Sequence, residues 1–171
     1  MRKKLARSFY ARSGPVVARE LLGKYLIRRT ARGVYAARIV ETEAYHGSDD
    51  KASHASKGKT NRTAIMFGPP GFAYVYIIYG MHHCLNVVTA ADGEPSAVLI
   101  RGLDDPACSG PGKLCRELKI SRDQNGLDLV ASKELWIEDR GERPKAVHRT
   151  PRVGVDYAGA WKDKKWRFVI Q

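Results

Sequence analysis

Glycine and proline cut the middle of this chain into short pieces. Gly68-Pro69-Pro70-Gly71 precedes the apolar run Phe72–Tyr79, Gly80 ends that run, and Ser109-Gly110-Pro111-Gly112 closes the region. Proline fixes φ and lacks an N–H, and glycine favours turns, so no long helix can pass through here. Phe72–Tyr79, Cys84–Thr89 and Ala97–Arg101 therefore read as strands, by length and by their β-branched and aromatic content. Lys24–Thr30 and Val34–Tyr45 read as a hairpin around Ala31-Arg32-Gly33, and Leu135–Ile137 and Arg167–Ile170 as weaker strands. Two helices are predicted. Pro15–Leu22 has Ser13 as its cap, Pro15 in its first turn and Gly23 at its end, and Lys113–Leu118 follows the second Gly-Pro cluster. Strands in runs with few helices between them predict an α+β fold. The expected form is a single domain over residues 1–171, with a curved, mostly antiparallel sheet and a few flanking α-helices. Residues 1–7 are expected to form a basic N-terminal lead.

Charge narrows the partners. Lys and Arg number 30 against 18 Asp and Glu, a formal net charge of +12. Such a field favours a polyanion, either nucleic acid or an anionic membrane surface. The cations are dispersed: Arg2, Lys3, Lys4 and Arg7; Arg28, Arg29 and Arg32 around a turn; Lys57, Lys59 and Arg62 in a polar loop; Lys162, Lys164, Lys165 and Arg167 near the C-terminus. On a folded surface they could line a groove for phosphates. Phe72–Tyr79 is too short to span a bilayer, and no apolar signal core follows the first charges, so no membrane partner and an intracellular location are expected. Cys84, Cys108 and Cys115 form no CxxC pair, which speaks against a disulfide framework or a zinc site. His82, His83 and Cys84 are neighbours in a strand and point to alternate faces, so no metal site is expected there either. Neither a G-x-S-x-G elbow nor a GxxxxGK[ST] phosphate loop is found.

Two segments hold groups suited to chemistry. In a strand, Glu41, Glu43 and Tyr45 share one face, and Val40 and Ala44 the other. A carboxylate beside an aromatic ring suits a general base next to a stacking platform. The plainer alternative is a solvated acidic face. The polar stretch His46–Arg62, which contains His54, reads as a long loop, and such loops are usually functional. In the second segment Tyr74 and Tyr76 point one way, and Tyr79 the other if the strand stays regular. Gly80 permits a tight turn there, from which Tyr79 and Met81 would project to stack on bases or wedge between them. The alternative is a set of packed tyrosines with satisfied hydroxyls. N–H groups at the Ser109–Lys113 helix start could hold a phosphate, with Lys113 adding charge, or the segment could be a helix-start turn alone.

The motifs also occur together in a known order. Arg38-Ile39-Val40-Glu41-Thr42-Glu43-Ala44-Tyr45 and Ala52-Ser53-His54 come first, then Met66-Phe67-Gly68-Pro69-Pro70-Gly71 and Tyr74-Val75-Tyr76-Ile77-Ile78-Tyr79-Gly80-Met81. Asn86-Val87, Val98-Leu99-Ile100-Arg101, Ser109-Gly110-Pro111-Gly112-Lys113-Leu114-Cys115 and Arg152-Val153-Gly154-Val155 complete the set. With these the chain resembles the alkyladenine (3-methyladenine) DNA glycosylases from about Ser8 onward.

The resemblance implies a monofunctional glycosylase of base-excision repair. It would flip alkylated, deaminated or etheno purines out of the duplex and hydrolyse the N-glycosidic bond, leaving an abasic site. Glu43 matches the base that activates water, and Arg101 the basic residue beside it. Tyr45, His54 and Tyr76 match the walls around the flipped base, and the His54 N–H a donor to its edge. Asn86 matches the residue that discriminates against the guanine amine. Tyr79, with Met81 close by, matches the wedge that fills the vacated stack. The implied partner is double-stranded DNA containing a damaged purine, bound by a monomer with no metal or organic cofactor. The chain departs from the pattern in one place: Gly102–Cys108 is shorter than the family's connection, which is partly helical. Two other readings compete. One is a non-catalytic nucleic-acid binder, indifferent to Glu43. The other is a hydrolase or transferase of free nucleosides or nucleotides, indifferent to Tyr79.

Overall fold

A computed structural model describes residues 2–170. In chain order the elements are β1 (Lys3–Lys4), α1 (Arg7–Tyr10), α2 (Gly14–Leu21), β2 (Tyr25–Thr30), β3 (Gly33–His46), β4 (Ala73–Ile78), β5 (His82–Val88), β6 (Ser96–Leu103), α3 (Pro111–Glu117), β7 (Leu135–Asp139), β8 (Val147–Thr150) and β9 (Arg167–Ile170). Short 3₁₀ turns join several of them. The sheet runs β1-β7-β2-β3-β6-β5-β4, and its strand pairs are antiparallel. The fold is α+β, as the strand pattern predicts. β3 organises it: the first half pairs with β2, and the second half lies between β6 and β9.

Local chemistry accounts for most element boundaries. α2 has Pro15 in its first turn, where a missing N–H costs nothing. Ser13 takes the cap position, but its side chain makes no capping bond. Gly23, at φ +84, turns the chain after the helix and donates its N–H to Ile39 O. α3 begins at Pro111, two residues before the expected start.

The sheet has two unlike faces, and a pair of bulges sets which residues reach each. On β3, Ala37 and Ile39 enter the main core, and beyond them so does Ala44, while the Thr42 hydroxyl bonds Ala18 O of α2. The parity changes because pairing passes from Ile39↔Leu103 to Glu41↔Gly102, leaving Val40 out of register. Val40 is half-buried and therefore does not share Ala44's place in the core, as plain alternation suggests. Pairing then passes to Thr42↔Ile100, which leaves Arg101 out on β6. Val98 and Ile100 face the core, as do Leu85 and Val87 of β5 and Ala73 and Val75 of β4. Their neighbours face the other way and build the pocket described below.

Several of the cations the sequence reading scattered over the surface also tie distant parts of the chain together. Within the basic lead Lys3 and Lys4 pair with β7, and Arg7 binds Asp128 Oδ2 at 2.6 Å and Pro70 O at 2.8 Å. Met1 lies outside the described residues. Arg28 is buried, and its Nε donates to Leu118 O at 3.1 Å. The short connection after β6 is firmly held. Tyr35 donates its hydroxyl to Asp105 Oδ2 at 2.7 Å, Asp105 caps the turn Pro106–Cys108, and Cys108 is buried in the core. No helix among the described residues is long and apolar enough to cross a membrane.

Candidate active site

The second face of the sheet is hollowed into a cavity of about 420 Å³. Each strand supplies alternate residues to it: Tyr45 from β3, Ala97, Leu99 and Arg101 from β6, Cys84 and Asn86 from β5, and Tyr74, Tyr76 and Ile78 from β4. The loop after β3 adds Ala52, Ser53, His54 and Arg62, and the loop before β9 adds Val153, Gly154, Val155 and Tyr157. The volume falls within the roughly 300–1,000 Å³ of small-ligand sites.

Glu43 lies directly beneath this wall, with no exposed surface. Its Oε2 accepts the Tyr45 hydroxyl at 2.8 Å, its Oε1 accepts the Val153 N–H at 2.8 Å, and Arg101 Nη1 stands 3.5 Å from Oε2. Burial raises the carboxyl above its ordinary value, and this outweighs Arg101, the Val153 N–H and the Tyr45 hydroxyl. The result is a buried carboxylate more basic than a free one, in contact with three groups that line the cavity. Glu41 lies on the same face of β3, half-buried. Its Oε1 accepts Arg101 Nε at 2.8 Å and Arg167 Nε at 2.6 Å. Burial works to raise this second carboxyl, but the two arginines overcome it and hold the group below the ordinary value.

Aromatic rings make the remaining walls. His54 meets Tyr76 edge-on, with ring centres 4.6 Å apart, and its Nδ1 lies 3.0 Å from the Tyr74 hydroxyl. Burial first, then the charges of Arg62 and Lys57, push its imidazole down to about 4, so it is neutral at physiological pH. His54 opens a 3₁₀ turn in which Ser53 Oγ takes the Ala55 N–H. The long loop is thus ordered around its histidine. Arg62 stacks over Tyr76 at 5.2 Å. Asn86 is buried across from Tyr74 and donates its amide to Tyr74 O at 3.2 Å. Behind Tyr45 lies a fully buried ion pair: Arg152 Nη1 meets Asp50 Oδ2 at 2.6 Å, and the guanidinium packs 4.9 Å from the Tyr45 ring.

Tyr79 is not the last strand residue pointing to the opposite face. It occupies the β4–β5 turn with φ +53, followed by Gly80 at φ +68, and Met81 N–H closes the turn on Ile78 O. Two successive positive φ values make the primed turn that suits hairpin twist. Tyr79 is 84% exposed at the rim of the cavity, and Met81 is 70% exposed at the same tip. Lys113 is exposed in the first turn of α3, beside the rim residues Pro111 and Gly112 but outside the lining.

The structure thus brings Arg101, Tyr45, His54, Tyr76, Asn86 and Tyr79 to one cavity, with Glu43 bonded to its wall from behind, and places Met81 and Lys113 around it. Sequence reasoning missed the parts played by Glu41, Arg62, Asp50, Arg152, Val153, Tyr157 and Arg167. For Val153 and Arg152 the motif Arg152–Val155 was a signal. For Glu41 the shared strand face with Glu43 was a signal, and for Arg62 its place in the polar loop; Asp50, Tyr157 and Arg167 meet the site only through the sheet and loops and gave none.

The family model for methylpurine-DNA glycosylase matches residues 8–106 and 104–171. The chain belongs to the methylpurine-DNA glycosylase family. It is a DNA glycosylase by that membership. Among its relatives, a protein of Anaeromyxobacter dehalogenans is 54% identical over 174 residues, covering 98% of this chain and 82% of its own. One from Methanocella arvoryzae is 50% identical over 182 residues, covering 96% and 90%. One from Legionella pneumophila is 45% identical over 174 residues, covering 99% and 95%. All three carry the provisional name 3-methyladenine DNA glycosylase. The two parts of the match to this glycosylase family meet at residues 104–106, inside the short connection.

Proposed function

We propose that this glycosylase removes alkylated purines, 3-methyladenine among them, from duplex DNA by flipping the nucleotide into the cavity and hydrolysing its N-glycosidic bond. The observation that supports this most is Glu43: a buried, basic carboxylate behind an aromatic pocket on a protein of net charge +12. A base in duplex hides its glycosidic bond, so extrusion must precede chemistry. Tyr45, Tyr76 and His54 would enclose the extruded base, and Asn86 would contact its edge. Neutral His54 adds no positive charge beside a base that is itself cationic when alkylated. Exposed on its turn, Tyr79 would enter the vacated stack, with Met81 beside it, and Lys113 at the rim would meet phosphate.

The bond breaks through an oxocarbenium-like transition state at C1′. Ionised Glu43 stabilises that cation and takes a proton from the attacking water, while Arg101 helps to place the water. The electron pair of the N-glycosidic bond leaves with the purine, which an alkylated, positively charged base accepts readily. Etheno and deaminated purines lack that charge and should be slower. The deciding test is incubation with duplexes bearing one methylated purine, hypoxanthine or ethenoadenine, with abasic sites read by alkaline cleavage. Wild type is expected to release base, while Glu43→Gln binds the same DNA and releases none. Equal release by both proteins would end the proposal for Glu43, and no release by wild type would end the substrate assignment.

A further inference from the structure

Glu41 has no part in the reaction proposed above, yet the chain ties it in more tightly than a surface carboxylate. An arginine beside a buried carboxylate ordinarily closes a two-pronged pair with it. Arg101 does not do so with Glu43. Its Nε is taken by Glu41 Oε1 at 2.8 Å, and its closest approach to Glu43 is Nη1 to Oε2, at 3.5 Å. Arg167 reaches the same Glu41 oxygen from β9 at 2.6 Å, and its Nη1 reaches Thr150 Oγ1 at 3.3 Å. The backbone prepares this contact. Glu41 sits at the β3 bulge opposite Gly102, where a Cβ would stand 3.5 Å from Glu41 Cβ and 3.6 Å from Oε2.

We propose that Glu41 is a positioning residue of this site: held between two arginines, it keeps Arg101 turned so that the guanidinium assists Glu43 without closing on it. The inference rests on the reading of Glu43 as the base. Its logic is a competition between carboxylates. If Arg101 closed on Glu43 with two short bonds, the charge of the base would be quenched and its oxygens occupied. Glu41 draws off one edge of the guanidinium, and Arg167 keeps Glu41 ionised while it does so.

The charged and titratable groups around Glu43 include Glu41 and Tyr45 from β3, Arg101 from β6, Arg167 from β9, Tyr76 from β4, Cys84 from β5, and, behind Tyr45, the Arg152–Asp50 pair beside the Val153 N–H. Removing the Glu41 charge takes away a repulsion on Glu43 and frees Arg101 to close on it. Both changes make Glu43 more acidic. Removing the Arg167 charge leaves Glu41 less neutralised and makes Glu43 less acidic. The two substitutions act on the same oxygen yet predict opposite shifts, which general loosening of the fold would not produce.

The test is a carboxyl-detected NMR titration of Glu43 in the free protein, for wild type, Glu41→Gln and Arg167→Gln, beside the pH profile of single-turnover base release. Glu41→Gln is expected to lower the Glu43 midpoint by about one pH unit, with a smaller rise in Arg167→Gln. Single-turnover release by Glu41→Gln should fall about tenfold at its plateau with DNA affinity kept, and Glu41→Asp should recover part of the loss. An unchanged or rising Glu43 midpoint in Glu41→Gln overturns the proposal, as do shifts of the same sign in both variants. If Glu41→Gln does not fold, the direction in Arg167→Gln decides. The titration needs no turnover: a wild type that released no base would remove the proposed function, while the carboxyl shifts would still decide whether Glu41 governs the Arg101–Glu43 contact.

Discussion

The same four strands, β3, β6, β5 and β4, carry two faces of opposite character. Toward the helices stand Ala44, Val98, Ile100, Leu85, Val87, Ala73 and Val75, aliphatic and sealed. Toward the cavity, one residue along each strand, stand Tyr45, Leu99, Arg101, Cys84, Asn86, Tyr74 and Tyr76. The first face stabilises by removing apolar surface from water. The second removes a carboxylate, an imidazole and several hydroxyls from water and must satisfy each with a partner. One face therefore provides the stability that the other partly consumes, and substitutions on the two faces should separate folding from function.

Glu43→Gln should show the separation most strongly. Loss of the carboxylate is expected to cut base release roughly a thousandfold or more. Stability at neutral pH should not fall with it. The folded-state carboxyl is raised above its unfolded value, so folding disfavours the ionised form once the pH exceeds the unfolded value. Glutamine removes that penalty, and Arg101 keeps Glu41 as its partner. A thermal midpoint at pH 7 equal to or above wild type is expected, and a marked drop would show that Glu43 is structural as well.

Leu85→Ala reverses the pattern. Leu85 is fully buried between the cavity residues Cys84 and Asn86 but faces the helices. Truncation should cost about 2–5 kcal/mol in denaturant unfolding, through lost transfer energy and the cavity left behind. Base release per folded molecule, measured well below the new midpoint, should change little. A large loss of release there would show that the two faces are coupled.

How much of this was legible in the sequence differs between the faces. Alternation along Tyr74–Tyr79 and the carboxylate order in Val40–Tyr45 grouped most of the cavity residues by face, because those patterns are local, but left a solvated acidic face and a set of packed tyrosines as open alternatives. The strand runs and the turn at Ala31–Gly33 gave the α+β fold for the same reason. Three kinds of feature stayed hidden. The bulges at Val40 and Arg101 exist only in the pairing of β3 with β6, and a one-residue irregularity leaves no mark on composition. Arg7, Arg28 and Arg167 looked like surface charge because their acceptors lie far along the chain at Asp128, Leu118 and Glu41. β1 and β8 are short edge strands whose residues carry no strand signal of their own.

Tyr79→Ser tests the rim, where neither face's reasoning applies. The side chain is exposed, so stability should stay within about 0.5 kcal/mol of wild type. The extruded state would lose the ring that fills the gap. Release from duplex is expected to fall about tenfold to a hundredfold, with a smaller loss where the damaged base is unpaired or mismatched and extrusion is already easy. Equal losses on both substrates would argue that Tyr79 contacts the backbone rather than replacing the base.

Tyr45→Phe makes the smallest change and tests the finest point. The ring that would stack on the extruded base remains, and only the hydroxyl bonded to Glu43 Oε2 at 2.8 Å is removed. That bond favours the ionised carboxylate and works against burial, the dominant influence on this group. Without it the Glu43 midpoint should rise, and the acid limb of the release profile should move to higher pH, by less than about one unit. Release should therefore drop at low pH and recover as the pH passes the new midpoint. The shift has the opposite sign to that expected for Glu41→Gln, although both residues touch the same site from the same strand. A downward shift in Tyr45→Phe would mean that Arg101 swings into the place the hydroxyl leaves. Glu41 and Tyr45 would then restrain the same arginine from its two sides.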